Sequence, residues 1–187
     1  MEKIFYIKNM VCDRCIKVLT NELKDKRIEV LQVKLGELRV NIDDEKEFYT
    51  LQEIVESNGF SIIDDENFKM AEQIKLFLIS LLNNLPLSND KVSEILAKEM
   101  NQEYSKISKL FSYSEKITIE KYFIKLKIEK AKELIQNKEY NFTGISQLLN
   151  YSNLTHLSNQ FKTETGMSLT EYKALDNNFR NPLDRII

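Results

Sequence analysis

Apolar positions fall at two different periods along the chain, and the change of period divides it. Residues 2–8 read Glu-Lys-Ile-Phe-Tyr-Ile-Lys, β-branched and aromatic as in a strand. Ile16, Leu19 and Leu23 then recur at helical spacing as far as about Arg27. From Ile28 to Asn41 the pattern is that of a hairpin. Val30, Gln32-Val33 and Leu35 lead into Gly36, and Leu38 and Val40 lead out. Phe48, Leu51, Ile54 and Val55 predict a second helix, closed by Asn58-Gly59, and Phe60–Ile63 a fourth strand. The resulting order, βαββαβ, is that of a ferredoxin-like domain.

Beyond this point the period is helical almost throughout. Met70, Ile74, Phe77, Leu78 and Leu81 form one stripe; Val92, Ile95 and Leu96 mark a short helix, and Ile107, Leu110 and Phe111 another. A long helix is predicted from about Thr118 to Asn137. Its apolar side carries Ile119, Tyr122, Phe123, Leu126, Ala131, Leu134 and Ile135, and its charges, including a Lys125–Glu129 pair, are expected on a solvated face. Ile145, Leu148 and Leu149 predict a short helix, with Leu157 and Phe161 on its partner. Residues 62–68, rich in Asp, Glu and Asn, mark the expected boundary between a domain at 1–65 and one at 66–187. The fold class expected is therefore α+β, a ferredoxin-like domain followed by an all-helical one.

Composition narrows the class. The 187 residues are 42% apolar and 30% charged, with 4 Gly and 2 Pro, which argues against a disordered, collagen-like or sandwich protein. No apolar run is long enough for a membrane span. Met1–Phe5 lacks the features of a secretion signal, so a cytoplasmic protein is expected. The net charge of −2 conceals an asymmetry. Residues 1–66 carry 10 Lys+Arg against 15 Asp+Glu; the remainder carries 17 against 14. An acidic front and a mildly basic rear suit two domains with different tasks, and the basic excess permits nucleic-acid binding without requiring it.

Cys12 and Cys15 stand in Met10-Val-Cys-Asp-Arg-Cys15, between the first strand and the first helix. Two thiolates at this spacing can converge on a soft metal. The helix N-terminus, Arg14 and Lys17 are expected to favour the thiolate, and Met10 to turn inward. A thioredoxin-like dithiol is disfavoured, because the only prolines, Pro86 and Pro182, lie outside any candidate strand. His156 is too far along the chain to complete a site. The loop, in its βαββαβ frame, resembles the heavy-metal-associated domain of copper chaperones and metal-pumping ATPases over about residues 2–65. That resemblance implies Cu(I), with Zn(II) as the alternative, held by Cys12 and Cys15. The family's usual Gly before the Met is Asn9 here.

Residues 142–172 have the form of a helix-turn-helix. Ile145 and Leu149 bury the first helix, Asn150 takes the turn, and Ser152 is placed to cap the second. With Leu157 and Phe161 inward, Thr155, His156 and Asn159 fall outward, and Ser158 and Lys162 on the flank. The stretch resembles the second helix-turn-helix of AraC-type regulators, above all in Phe161-Lys162 and Glu164-Thr-Gly-Met-Ser-Leu-Thr-Glu-Tyr172. A looser first unit runs through Ser93–Lys98, Tyr104–Phe111 and Ile117–Tyr122, so that the resemblance covers about residues 70–175. It implies that Ser105, Lys106, Ser108 and Lys109 face DNA from the first unit, and Thr155, His156, Ser158 and Asn159 from the second, with Lys162 near phosphate. Three positions depart from the family: Asn159 for Arg, Lys116 for Gly, and Ser146 for Ala.

Together these readings predict a transcription regulator, not an enzyme, that binds double-stranded DNA and answers a soft metal ion. A homodimer is left open and no membrane partner is expected. Two alternatives are a metallochaperone or metal buffer with a helical docking module, and a regulator whose front domain only dimerises.

Overall fold

A computed structural model of the chain describes residues 1–175, 179–183 and 186. It divides into two compact units, Met1–Leu76 and Phe77–Ile187.

The first unit begins with β1 (Glu2–Lys8), α1 (Asp13–Asp25), β2 (Glu29–Lys34), β3 (Glu37–Asn41), α2 (Glu45–Ser57) and β4 (Ser61–Ile63). The strands form one sheet in the order β2-β3-β1-β4, with every neighbouring pair antiparallel. The β2–β3 turn needs a left-handed residue, and Gly36 supplies it at φ 73°. A register shift between Val30 and Gln32 breaks the alternation of β2 and leaves Leu31 45% exposed. Side chains from the sheet and both helices meet in one core that includes Ile7, Leu19, Leu23, Leu38, Val40, Leu51 and Val55. Asp44 caps α2 by accepting from the Glu47 N–H, and Gly59 at φ 77° follows its last turn.

The edge of this unit lies later in the chain than composition suggests. Residues 62–68 comprise the end of β4, a two-residue connection and the first turn of α3 (Glu66–Asn83). The first half of α3 then packs back on the sheet. Lys69 lies 4.6 Å over the Tyr6 ring, Glu72 accepts from the Asn9 N–H at 3.1 Å, and Leu76 fills the space beside Gly36. A Cβ at Gly36 would come within 2.6 Å of Leu76 Cδ1. The division therefore falls inside α3, between Leu76 and Phe77. A polar segment marks where the chain meets water, not where packing stops.

The second unit contains the rest of α3 and α4 (Val92–Glu99), α5 (Tyr104–Glu115), α6 (Ile119–Asn137), α7 (Phe142–Leu148), α8 (Leu154–Thr165) and α9 (Leu169–Lys173). Helix α6 is its axis, touching α5, α7, α8 and α9. The seven apolar positions expected inside it are all buried. Its charges, however, do not form the solvated face that the sequence suggests. Glu129 and Lys132 are buried, and Glu129 pairs with Lys132 at 2.6 Å instead of with Lys125. The reason is residues 179–181, which lie on this side of α6. Asn181 donates to Glu129 from both its backbone and its side chain, Lys132 reaches the Phe179 carbonyl at 3.2 Å, and Arg180 reaches Glu133. Among the described residues no helix is long and apolar enough to cross a membrane.

Breaking a buried ion pair on one side leaves the other charge uncompensated. Glu129→Met should therefore destabilise the helical unit by about 3 kcal/mol, and Glu129→Met with Lys132→Met should recover most of that loss. Urea unfolding followed by circular dichroism measures both. A single variant no worse than an ordinary surface change would show that the pair is solvated after all.

Candidate nucleic-acid interface and thiol site

The helical unit holds two copies of one arrangement at a constant spacing. Glu103 and Asn153 are the N-cap positions of α5 and α8. Ile107 and Leu157, then Phe111 and Phe161, point inward from those helices. Lys116 and Gly166 end them in the left-handed conformation, at φ 58° and 76°. Thr118 and Ser168 cap the helices that follow, and Tyr122 and Tyr172 are buried on these. In each copy the Phe and Tyr rings touch, with centroids 5.6 Å and 5.4 Å apart. This clamp fixes the inner face of α5 and α8, and so determines which side chains remain outside.

On α5, Ser105, Lys106 and Lys109 are exposed and Ser108 is half-buried. On α8, Thr155, His156, Asn159 and Lys162 are exposed and Ser158 is half-buried. The nine candidate residues thus form two outward faces, one on each helix, with side chains rich in hydrogen-bonding groups and three lysines. The side-chain amide of Asn159 has no hydrogen-bond partner among the described residues. His156 is steadied on one side, its Nδ1 at 3.2 Å from Ser152 Oγ and its ring edge-on to Tyr151.

Four details correct or extend the sequence reading. Ser152 is not the cap of α8: Asn153 is, accepting from the His156 N–H at 2.8 Å, while Ser152 holds the His156 ring. Adjacent Ser and Asn cap about equally well, so the choice depended on where the turn closes, and Asn150 at φ 52° sets that. Lys116, where the resembling family has Gly, still takes the left-handed backbone. Ser146, where that family has Ala, is buried and donates to the Thr143 carbonyl at 2.8 Å, which lets a hydroxyl stand in a packed position. Sequence reasoning missed Tyr104, whose hydroxyl donates to Glu120 and ties the start of α5 to α6. Burial, then that carboxylate, pushes its phenol well above the ordinary range. The signal was present as an aromatic residue at the first position of an otherwise polar helix start.

The thiol loop lies in the first unit. Cys12 is the N-cap residue of α1 and is exposed; Cys15 is half-buried in its first turn. The sulfurs are 3.4 Å apart. Met10 is fully buried beneath the loop, as a core side chain. Asn9 takes φ 71°, the conformation a Gly would favour, and its N–H is held by Glu72 of α3. Glu72 is itself buried and paired with Lys75 at 2.7 Å. The expectation of an acidified thiol fails at Cys15: burial, then the Cys12 hydrogen bond, pushes its thiol up despite the backbone N–H groups nearby. Two sulfur donors that can close on one ion suit a soft metal, and no larger His/Cys/Asp/Glu group is found among the described residues.

Residues 96–174 match the family described as a helix-turn-helix domain. Among solved structures, the C-terminal domain of AraT, a response regulator from Geobacillus stearothermophilus, is similar at 18% identity and a TM-score of 0.51, over 60% of this chain and 91% of that one. The C-terminal domain of the two-component response regulator yesN from Fusobacterium nucleatum aligns at 19% identity and a TM-score of 0.48, over 55% of this chain and 95% of that one. An AraC-type transcriptional regulator from Chromobacterium violaceum aligns at 17% and 0.47, over 56% and 96%. No protein of curated function matches the chain. The helical unit shares the fold of the AraT domain.

The cap assignment makes a direct test. Asn153→Ala should cost the helical unit about 1 kcal/mol, and Ser152→Ala much less. Thermal or urea unfolding of the two variants distinguishes them, and the reverse order would refute the assigned cap.

Proposed function

We propose that the chain is a DNA-binding transcription regulator of the AraC type that reads duplex DNA with α5 and α8. The observation that carries this reading is the duplicated clamp, which leaves each of the two helices with a polar outer face whose side chains are exposed, apart from the half-buried Ser108 and Ser158. Ser105, Lys106, Ser108 and Lys109 form one reading face; Thr155, His156, Ser158 and Asn159 form the other, with Lys162 toward phosphate. His156, held through Nδ1, offers Nε2, and the amide of Asn159 suits a bidentate contact to adenine. Helix α6, 19 residues and so about 28 Å long, is comparable to one duplex turn of about 34 Å. A single chain could then address successive major grooves. This is a binding protein and not an enzyme, and its place of work is the cytoplasm.

Lysine contacts fix position and polar contacts read sequence. Lys109→Ala should weaken binding to all duplexes alike, and Asn159→Ala should lower discrimination by roughly 1–3 kcal/mol. With few cations on the two helices, the salt dependence should be shallow. Selection from a random duplex library, followed by affinities at two salt concentrations, measures all three. If no sequence is enriched, with or without metal, the regulator reading fails and a metal buffer with a docking module becomes the better account.

The first unit is read here as a ferredoxin-like, heavy-metal-associated domain, with Cys12 and Cys15 holding Cu(I). The support is a donor set of two adjacent sulfurs, Cys12 exposed and Cys15 half-buried, which suits Cu(I) better than the four-ligand sites Zn(II) prefers. Bound there, the ion would add charge at the start of α1 and hold the two sulfurs together. Asn9 and Glu72 join this loop to α3, the helix that continues past the division at Leu76, so metal occupancy has a physical route to α3. Cu(I) competition against a chelator should show strong retention by the native chain and loss in Cys12→Ser/Cys15→Ser. Equal affinity in the two would end this part of the proposal.

A further inference from the structure

Within the helical unit, a cavity of about 380 Å³ opens between the segment before α4, α4 itself, α6 and the turn at Asn150. Its size is in the range of small-molecule sites. Leu87, Val92, Ile95 and Phe123 give it an apolar wall. Lys127, from the middle of α6, also lines it. Its ammonium lies 3.7 Å from the centroid of the Tyr151 ring and has no carboxylate within ion-pair reach among the described residues. Among the described residues the one carboxylate on the cavity wall, Asp90, accepts from Ser88 Oγ at 2.8 Å. Burial alone pushes the Lys127 ammonium down to about 8, with no nearby charge opposing the shift.

Lys127 is a largely buried cation at a mixed cavity, whose lining adds the polar Asn84, Ser88, Asp90 and Asn150 to the apolar wall, and among the described residues its ammonium meets only the face of one ring. An anion on a small apolar body would restore the charge balance and fill the space. We propose that this cavity is a binding site for a small apolar monocarboxylate, with Lys127 as the partner of the carboxylate and the wall formed by α4 and Phe123 as the seat of its apolar body. The neutral carboxamide of Asn150 is fixed in place by donating to the Ser88 carbonyl at 2.8 Å, so the cavity rim is already formed. The site touches α4 of the first helix-turn-helix, the connecting helix α6 and the turn of the second. An occupant would therefore contact both helix-turn-helix motifs of the helical unit at once.

The test uses the full chain and needs no DNA, so it is independent of the regulator reading. Octanoate is the probe, octanol and octylamine the neutral and cationic controls, and calorimetry with side-chain NMR shifts the readout. Octanoate should bind at one site and shift Ile95, Val92 and Leu87 methyls, while octanol binds at least roughly tenfold more weakly and octylamine more weakly still. Lys127→Met keeps the apolar stem and removes a buried charge, so it should fold and lose roughly tenfold or more in octanoate affinity. Val92→Phe, which fills the cavity from its apolar side, should abolish binding while leaving Lys127 in place. Equal binding of octanoate and octylamine, unchanged affinity in Lys127→Met, or shifts confined to residues outside the cavity would each overturn the site.

Discussion

The contact on which the helical unit depends is a buried Phe of a helix against a buried Tyr of the next, made once by Phe111 and Tyr122 and again by Phe161 and Tyr172. An aromatic pair of this kind contributes beyond the area it buries. Its larger effect is geometric. With Phe161 fixed inward, Leu157 one turn earlier is fixed inward too, and the remaining positions of α8 must face out. The left-handed residue after each helix, Lys116 or Gly166, and the cap that follows, Thr118 or Ser168, return the chain at the angle that brings the Tyr back to the Phe. At Ser168 that cap is a full capping box with Glu171. On the reading proposed here, the same contact that stabilises the core sets the register of the DNA-facing side chains.

The first unit solves a different problem. Its thiol loop is ordered from below and from the edge, with Cys12 left exposed and Cys15 half-buried. Met10 lies buried beneath the loop, and the Asn9 N–H donates to Glu72 at its edge. The cost is a buried glutamate, which Lys75 offsets. A charge pair at that place on α3 is hard to explain by packing alone, since apolar residues of similar volume are often neutral or better in stability. It is understandable if the backbone of the loop needs an acceptor.

The elements were legible in the sequence where one period ran uninterrupted. The hairpin around Gly36 and the apolar side of α6 follow from alternation and from helical spacing. What was not legible depended on partners distant in the chain. Glu129 and Lys132 read as solvated because nothing local says that Asn181 and Phe179 return to cover them. Residues 62–68 read as a boundary because the contacts of Lys69, Glu72 and Leu76 with the sheet are long-range. Ser152 and Asn153 differ by one position, and only the closed turn tells them apart. The outward faces of α5 and α8 could be placed because each depends on a nearby Phe; the cavity at Lys127 could not, because it is assembled from four separate segments.

The central claim is that α5 and α8 act as two reading heads on one duplex. Chemical footprinting of the chain on its selected site tests it most directly. Two protected major-groove segments about one helical turn apart are predicted, with the α8 segment alone lost in Asn159→Ala/Lys162→Ala. A single protected segment, or two that are lost together in that variant, would contradict it.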